Sequence, residues 1–583
     1  MSEESVRPLE RGLTVLRALA PPGPGRMRAS DLVRATGLAR STVDRVVATL
    51  ERLGYVRVRG QELHLAPRLM ELGNAYLAAS GLTGEVAART ARLADELDES
   101  VSLAVPDGDG VRFVTQAARR RAMSVAFRIG DLLPPERCAP GALFADAWDE
   151  ERWAAWRART AAGPAEDAFP ALPPGPAPRG LPDLAARVAR SRETGWALDD
   201  QLIEPGLIAV AVPVRDASGR IRYALSAVSH TSRHTAEGLA DAVLPRLRAE
   251  AERLAVLGEA GGADLGAGAG TATASTSTST STTATATATA STSTSTSTST
   301  STSTSTSTTL AAKADLGAKA DLGAGFLQSL ARGLTVLRAL GEARGDGLPL
   351  TALAAATGLP RATARRCLRT LELAGYAAHD GRLYRPLPRI LELGHAALSR
   401  LTFAELAEPH LRDLTDRVRQ SASATVLDGT DILYVARAAS VRVMSVHITV
   451  GTRFPAYATA MGRVLLAGLP EAERARLLRA APPRALTART LTDPGELARL
   501  LDRVAAEGHA TADEELEEGL RSVAVPVRDA RGRVVAALNV AQHAGAGPLA
   551  ATRDVLLPAL RETAAAIEAD LHTAARFNSV RML

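Results

Sequence analysis

Arg361, Arg365, Arg366 and Arg369 recur every one to four residues in RATARRCLRTLE, residues 361–372. On a helix that spacing gathers the guanidinium groups on one outer face, with Thr363 beside them. Such forks pair with phosphate oxygens, or bidentately with the major-groove edge of guanine. Glu372 is the single acid there, and Ala364, Cys367, Leu368 and Leu371 form the apolar inner face. A second stretch repeats the plan. Arg40, Ser41, Thr42, Arg45 and Thr49 lie outward, and Val43, Val46, Val47, Leu50 and Leu53 inward. The chemistry expected of both is binding to double-stranded DNA. The outer faces differ, because Ser41 corresponds to Ala362, Asp44 to Arg365 and Arg45 to Arg366. Each copy is therefore expected to prefer its own half-site, giving an asymmetric operator.

Catalysis finds no footing. Ten histidines are scattered with no HExxH, and there is no GxSxG, Walker loop or glycine-rich dinucleotide turn. Cys138 has no histidine near it in sequence. Cys138 and Cys367, one per half, exclude a disulfide framework and a cysteine-based zinc site. No enzyme activity, cofactor or metal is expected.

The elements around the arginines are those that would aim them. Leu13, Val15, Leu16 and Leu19 stripe a first helix. A short helix follows over Ser30–Thr36, with Ser30 as its expected N-cap, and Gly37 breaks it before Arg40. After the recognition helix, VRVRGQELHL alternates with period two around Arg59-Gly60. Its counterpart, Tyr376 to Tyr384, turns at Asp380-Gly381. Helix, glycine turn, basic helix and hairpin make a winged helix-turn-helix.

The whole unit occurs twice. RGLTVLRAL at Arg11–Leu19 returns at Arg332–Leu340, a shift of 321 that still carries Met123-Ser124 onto Met444-Ser445 and Gly141 onto Gly462. The shift then falls to 313, setting VAVPVRDASGR from Val210 against VAVPVRDARGR from Val523. Between the copies, residues 271–309 contain only Ser, Thr and Ala. Such a tract builds no core and is expected to be a disordered tether, 261–326 in all. About 65 flexible residues span roughly 45 Å, enough for the copies to pair within one chain. The expected domains are winged helices at 1–78 and 327–400 and sensing domains at 79–260 and 401–583.

At 583 residues, 46% hydrophobic and 23% charged, the chain reads as several globular domains. Its net charge of +5 is compatible with nucleic acid without requiring it. With no charged-then-apolar leader and no apolar run near 18 residues, a cytoplasmic protein with no membrane partner is expected.

In the second half, 421–450 and 521–541 read as strands, the latter pair turning at Asp529–Gly532. Residues 401–420 and 549–574 carry helical periodicity, so the domain is α/β with a mixed or antiparallel sheet. Within Thr452–Leu466, Pro455 ends an extended piece and Thr459-Ala460-Met461-Gly462 leads into an apolar helix. Small residues there would let an anion approach helix N–H groups.

RGLTVLRAL, TGLPRATARRCLRTLELAGY, LPRILELGHAAL, SATVLDGTDILYVAR, GTRFPAYATAMGRVLLAGLP and EEGLRSVAVPVRDARGRVVAALNVAQHA together resemble the IclR family of regulators. Both copies match in order. The second most resembles the subgroup governing aromatic-acid catabolism through the β-ketoadipate pathway, the PcaR and PobR types. The resemblance implies a winged helix joined by a linker helix to a GAF-like sensing domain, in dimers or tetramers, with an organic or aromatic acid as effector. It points to Ala460 and Met461 at the pocket mouth, Asp513 near the opposite wall, and Ser522, Asn539 and Ala541 on paired strands. Ser522 stands where the founding type has Cys, and Ala541 where it has Ser, which suits a larger aromatic ligand. The first copy departs further: Pro140 replaces Met461, Ala142 Arg463, Ala209 Ser522, Ser226 Asn539 and Val228 Ala541. Its pocket is expected to be altered or blind, degenerate for sensing. The reading is a transcription regulator, repressor or activator. The rival is a DNA-binding scaffold whose sensing domains serve only in oligomerisation.

Overall fold

A computed structural model of the chain describes residues 5–20, 26–82, 84–119, 127–161, 169, 183–263, 325–342, 347–440, 448–546, 548–578 and 580–582. The Ser/Thr/Ala tract expected as a tether lies outside the described residues.

Each unit opens with the expected winged helix. In the first, α1 (Arg7–Leu19), α2 (Ala29–Thr36) and α3 (Arg40–Arg52) accompany a sheet of β1 (Arg26–Arg28), β2 (Val56–Arg59) and β3 (Glu62–Leu65), ordered β1-β3-β2. The apolar stripe of α1 buries Leu9, Leu13, Val15, Leu16 and Leu19 against the inner face of α3. Gly37 ends α2 in the left-handed region at φ +65°, a conformation that favours glycine. One detail differs from expectation: Ser30 is not the N-cap of α2. Strand β1, which has no clear signal in the sequence, pairs with β3 up to Arg28, so the helix starts directly at Ala29. The linker helix α4 (Met70–Ala79) follows.

The first sensing domain holds α5 (Gly84–Leu97), β4 (Ser100–Asp107), β5 (Gly110–Ala117), β6 (Leu132–Leu133), α6 (Ala139–Ala145), α7 (Glu150–Ala161) and α8 (Leu184–Thr194). It continues with β7 (Ala197–Asp200), β8 (Leu207–Arg215), β9 (Ile221–His230) and α9 (Ala236–Ala263), which runs past residue 260. Its six-stranded sheet is ordered β6-β5-β4-β9-β8-β7.

The second unit repeats the order. Its winged helix has α10 (Gln328–Ala339), β10 (Leu348–Pro349), α11 (Leu350–Thr357), α12 (Arg361–Leu373), β11 (Ala377–His379) and β12 (Leu383–Pro386). After α13 (His395–Leu398), the sensing domain has α14 (Phe403–Val418), β13 (Ser421–Asp428), β14 (Asp431–Ala438), β15 (Arg453–Pro455), α15 (Ala460–Ala467), α16 (Glu471–Ala480) and α17 (Pro494–Glu507). Then come β16 (Ala510–Asp513), β17 (Leu520–Arg528), β18 (Val534–His543) and α18 (Leu549–Ala575). The sheet is β15-β14-β13-β18-β17-β16, antiparallel throughout. Period-two alternation splits it into two faces. Val523, Val525, Leu538 and Val540 pack toward α14 and α18. Ala524, Ala537, Ala510 and Ala512 pack toward α15 and α17.

The two copies meet through α1 and α10. A Cβ on Gly12 would overlap Leu330, and one on Gly333 would overlap Leu9, the same contact read in both directions. Only glycine lets the helix backbones come this close. The N-caps are satisfied across the same joint: Val6 N–H donates to Thr370 Oγ1 at 2.9 Å and Leu327 N–H to Thr49 Oγ1 at 3.0 Å. Thr49 is therefore a correction to the sequence reading. Expected on the DNA side, it is fully buried in the joint, with its own hydroxyl donating to Arg45 O at 2.8 Å.

The linkers break this symmetry. Gly73 lies within a continuous α4, whereas Gly394 takes φ +118° and splits the second linker into a 3-10 turn and α13. His395 is packed against Gly73, where a Cβ would lie 2.6 Å from its Nδ1. Burial holds that imidazole down to about 4.

Thr370→Val keeps the shape at the joint but strands Val6 N–H. It should cost about 1–3 kcal/mol of unfolding free energy in chemical denaturation, while Thr370→Ser costs little. An unchanged midpoint for Thr370→Val would contradict the joint.

Candidate nucleic-acid interface and sensing chambers

The buried inner faces of α3 and α12 leave their outer faces in solvent. Arg40, Ser41 and Arg45 are exposed and Thr42 is partly so; on α12, Arg361, Arg365, Arg366 and Arg369 are exposed and Thr363 is partly so. Neither face is evenly basic. Arg40 stands 3.9 Å from Asp44, and Arg369 stands 3.7 Å from Glu372. Arg365 occupies the place of Asp44, so α12 carries the denser positive charge.

The wings are unequal as well. Arg57 Nη2 reaches Asp570 Oδ2 at 2.6 Å and His410 Nε2 at 3.0 Å, and His410 also contacts Asp570 at 2.8 Å. Arg59 Nη2 meets Pro409 O at 2.8 Å and Asp413 at 3.2 Å. The first wing is thus bonded to α14 and α18 of the second sensing domain. The same positions in the second wing are Ala378 and Asp380, which have no guanidinium to make these bonds.

In the second sensing domain, the register brings Ser522 opposite both Ala512 and Ala541, and Asn539 opposite Ser423. Paired residues share a face, so Ser522, Asn539 and Ala541 turn with Ala524 and Ala537 toward α15, the helix that bears Ala460 and Met461. Asn539 Oδ1 and Thr425 Oγ1 are buried with no hydrogen-bond partner among the described residues. Asp513 behaves differently from expectation. It pairs in register with Arg521 on the opposite face, and its carboxylate accepts from Arg521 Nε at 2.6 Å and Arg489 Nη1 at 3.2 Å. A one-residue slip reverses the side of a strand residue, so Ala512, not Asp513, faces the chamber.

The N-terminus of α15 is also more self-contained than its small residues imply. Thr459 Oγ1 accepts from Gly462 N–H at 3.0 Å, and Gly462 has no room for a Cβ because the Ala456 backbone lies against it. Gly141 meets Pro135 in the same way. Sequence reasoning misses the role of Arg463 altogether. It is 2% exposed, donates to Tyr457 O at 3.0 Å and forks onto Glu515, tying α15 to the loop after β16.

The first chamber is built from other residues. Phe113 and Phe127 stack at 4.4 Å, and Arg137 takes over the tie, donating to Leu202 O at 3.1 Å and to Ile203 O. Asp199, at the Ala512 position, is 1% exposed; burial pushes its carboxyl up to about 7. Its Oδ2 and the Ser102 and Ser226 hydroxyls lack partners among the described residues. The shift of 313 together with period-two alternation would have found Asp199. Burial also pushes the Cys138 thiol up to about 12, which leaves it no thiolate chemistry near neutrality. Among the described residues no His/Cys/Asp/Glu cluster could hold a metal, and no helix is long and apolar enough to cross a membrane.

Comparison with known proteins matches two family profiles. The IclR helix-turn-helix domain covers residues 8–60 and 329–381. The bacterial transcriptional regulator IclR C-terminal domain covers 176–256 and 395–569. The Pca regulon regulatory protein of Pseudomonas putida is 48% identical over 221 residues, 38% of this chain and 76% of that protein. The Pca operon regulatory protein of Acinetobacter baylyi is 34% identical, over 41% of this chain and 87% of its own length. The p-hydroxybenzoate hydroxylase transcriptional activator of the same organism is 33% identical, over 41% and 90%. These relatives are regulators, not enzymes.

Replacing Arg365 and Arg366 with Ala should weaken binding to the chain's own promoter DNA. It should also flatten the plot of log affinity against log salt by about 0.9 for each phosphate no longer neutralised. An unchanged slope in fluorescence anisotropy would remove these arginines from the interface.

Proposed function

The chain belongs to the IclR family of bacterial transcriptional regulators, and on that premise we propose that it reads an operator with two winged helices under the control of a small aromatic carboxylic acid. The observation that carries this reading is the reciprocal α1–α10 joint, which holds two arginine-bearing helices as a pair on one polypeptide. A pseudo-dimer of this kind suits two half-sites on one duplex. Arg40, Ser41, Thr42 and Arg45 would contact one half-site, and Arg361, Thr363, Arg365, Arg366 and Arg369 the other. The protein would work in the cytoplasm, as this pseudo-dimer or a higher oligomer.

For the effector, the second chamber supplies polar atoms without partners beside small side chains. Ser522 and Asn539 would bond the carboxylate or a ring hydroxyl, while Ala512, Ala541, Ala460 and Met461 would be the apolar neighbours of a ring. The names of the relatives favour an aromatic acid and genes of aromatic-acid catabolism. The first chamber, with Asp199 and the Phe113–Phe127 stack, would not accept the same acid in the same way, because a carboxylate beside Asp199 is tolerated only while Asp199 keeps its proton, and burial holds that carboxyl near 7.

Coupling would run through the bonds from Arg57 and Arg59 to α14 and α18. An effector that prefers one arrangement of the second sensing domain would bias the position of the first wing, and with it the operator-competent population.

Aromatic acids such as 4-hydroxybenzoate should raise the melting temperature of the full chain in proportion to the logarithm of concentration. Asn539→Leu should abolish the rise while DNA binding persists. If no aromatic acid stabilises the chain although it binds DNA, the sensing domains serve assembly alone.

A further inference from the structure

A cleft of about 1010 Å³ opens where the first sensing domain meets the end of the second unit. One wall is α5 with Thr115–Arg119 and Phe127–Ile129. The other is Ser399–Leu401 with Ala575–Asn578 and Arg581. Arg119, Arg128, Arg400, Arg531, Arg576 and Arg581 line it, and among the described residues of its lining Asp95 is the single carboxylate. Asp95 is already engaged by Arg119, which also bonds Asp98 at 3.1 Å. Behind the cleft, the Asp131 carboxylate accepts from Arg128 N–H at 2.6 Å and offsets part of the charge of Arg128 and Arg400. Arg531, Arg576 and Arg581 add three further guanidiniums to the same lining. Burial above all, and after it the field of Arg128, pushes the Arg400 guanidinium below its ordinary range.

Crowded guanidiniums in a concave, partly desolvated site repel one another until an anion sits among them. No residue of α3 or α12 lines this cleft, so it is not part of the duplex-reading surface. Its width and its several separated cations match a ligand with several negative charges better than a monocarboxylate. We infer that this cleft binds a small polyanion, a molecule bearing three or more phosphate or carboxylate charges, and that the ligand bridges the two units. Because its walls come from both copies, occupancy favours the arrangement in which the first sensing domain stays docked on the second linker and tail. This gives the regulator an input separate from the effector chamber.

The test uses the full chain at constant ionic strength, titrated calorimetrically with tripolyphosphate in one arm and citrate in the other. A saturable isotherm is expected in at least one arm, and the arm that responds identifies phosphate or carboxylate as the charge carrier. Arg576→Ala with Arg581→Ala, both at exposed positions, should weaken it about tenfold or more. Arg365→Ala with Arg366→Ala should leave it intact. Melting curves of both double variants verify that they fold. The inference fails if neither probe saturates. It also fails if the recognition-helix variant loses binding and the cleft variant keeps it, which would put the anion on the DNA face.

Discussion

The close crossing of α1 and α10 is the constraint on which the arrangement depends. Two helices that each bury an apolar stripe in their own winged helix can also touch each other only if some side chain gives way. Gly12 and Gly333 provide that room for Leu330 and Leu9. Thr49 and Thr370 complete the joint by accepting the N-cap N–H groups of the opposite helix. The joint thereby fixes the two recognition helices relative to one another, with their guanidinium-bearing faces left to solvent. In a homodimer such a contact would form between two chains; here covalent connection raises the effective concentration of the partner.

Duplication has also allowed the halves to diverge in ways that identical subunits cannot. The first wing carries Arg57 and Arg59, bonded to the second sensing domain, while the second wing has Ala378 and Asp380 in their place. The tie at the chamber helix has moved, from Arg463 on Glu515 in one unit to Arg137 on backbone carbonyls in the other. One chamber sets Ala512 beside Ser522, and the other sets a buried Asp199 beside Ala209. These are differences of chemistry within one backbone plan.

Much of that plan is legible in the sequence because it rests on local periodicity. The apolar stripe of α1, the break at Gly37, the wing turns at Gly60 and Gly381 and the paired strands β17 and β18 all follow from spacing alone. What escapes is non-local. Thr49 looks like an outer-face residue by its helical position, and only the second copy, 321 residues away, reveals why it is buried. Family resemblance sets Asp513 on the chamber side one residue out of register, and a strand punishes that error by reversing the side chain. Arg463 sits in an apolar helix with nothing nearby to name Glu515 as its partner, and the third wing strand, β1, is too short to show a period.

Under the proposed function, two recognition helices read one duplex from a single polypeptide. Hydroxyl-radical footprinting of the chain's own promoter region, with the salt concentration varied, tests this most directly. Two protected half-sites about one helical turn apart, appearing together and vanishing together as salt rises, are predicted. Protection of one half-site alone, or no salt-sensitive footprint at any protein concentration, would contradict it.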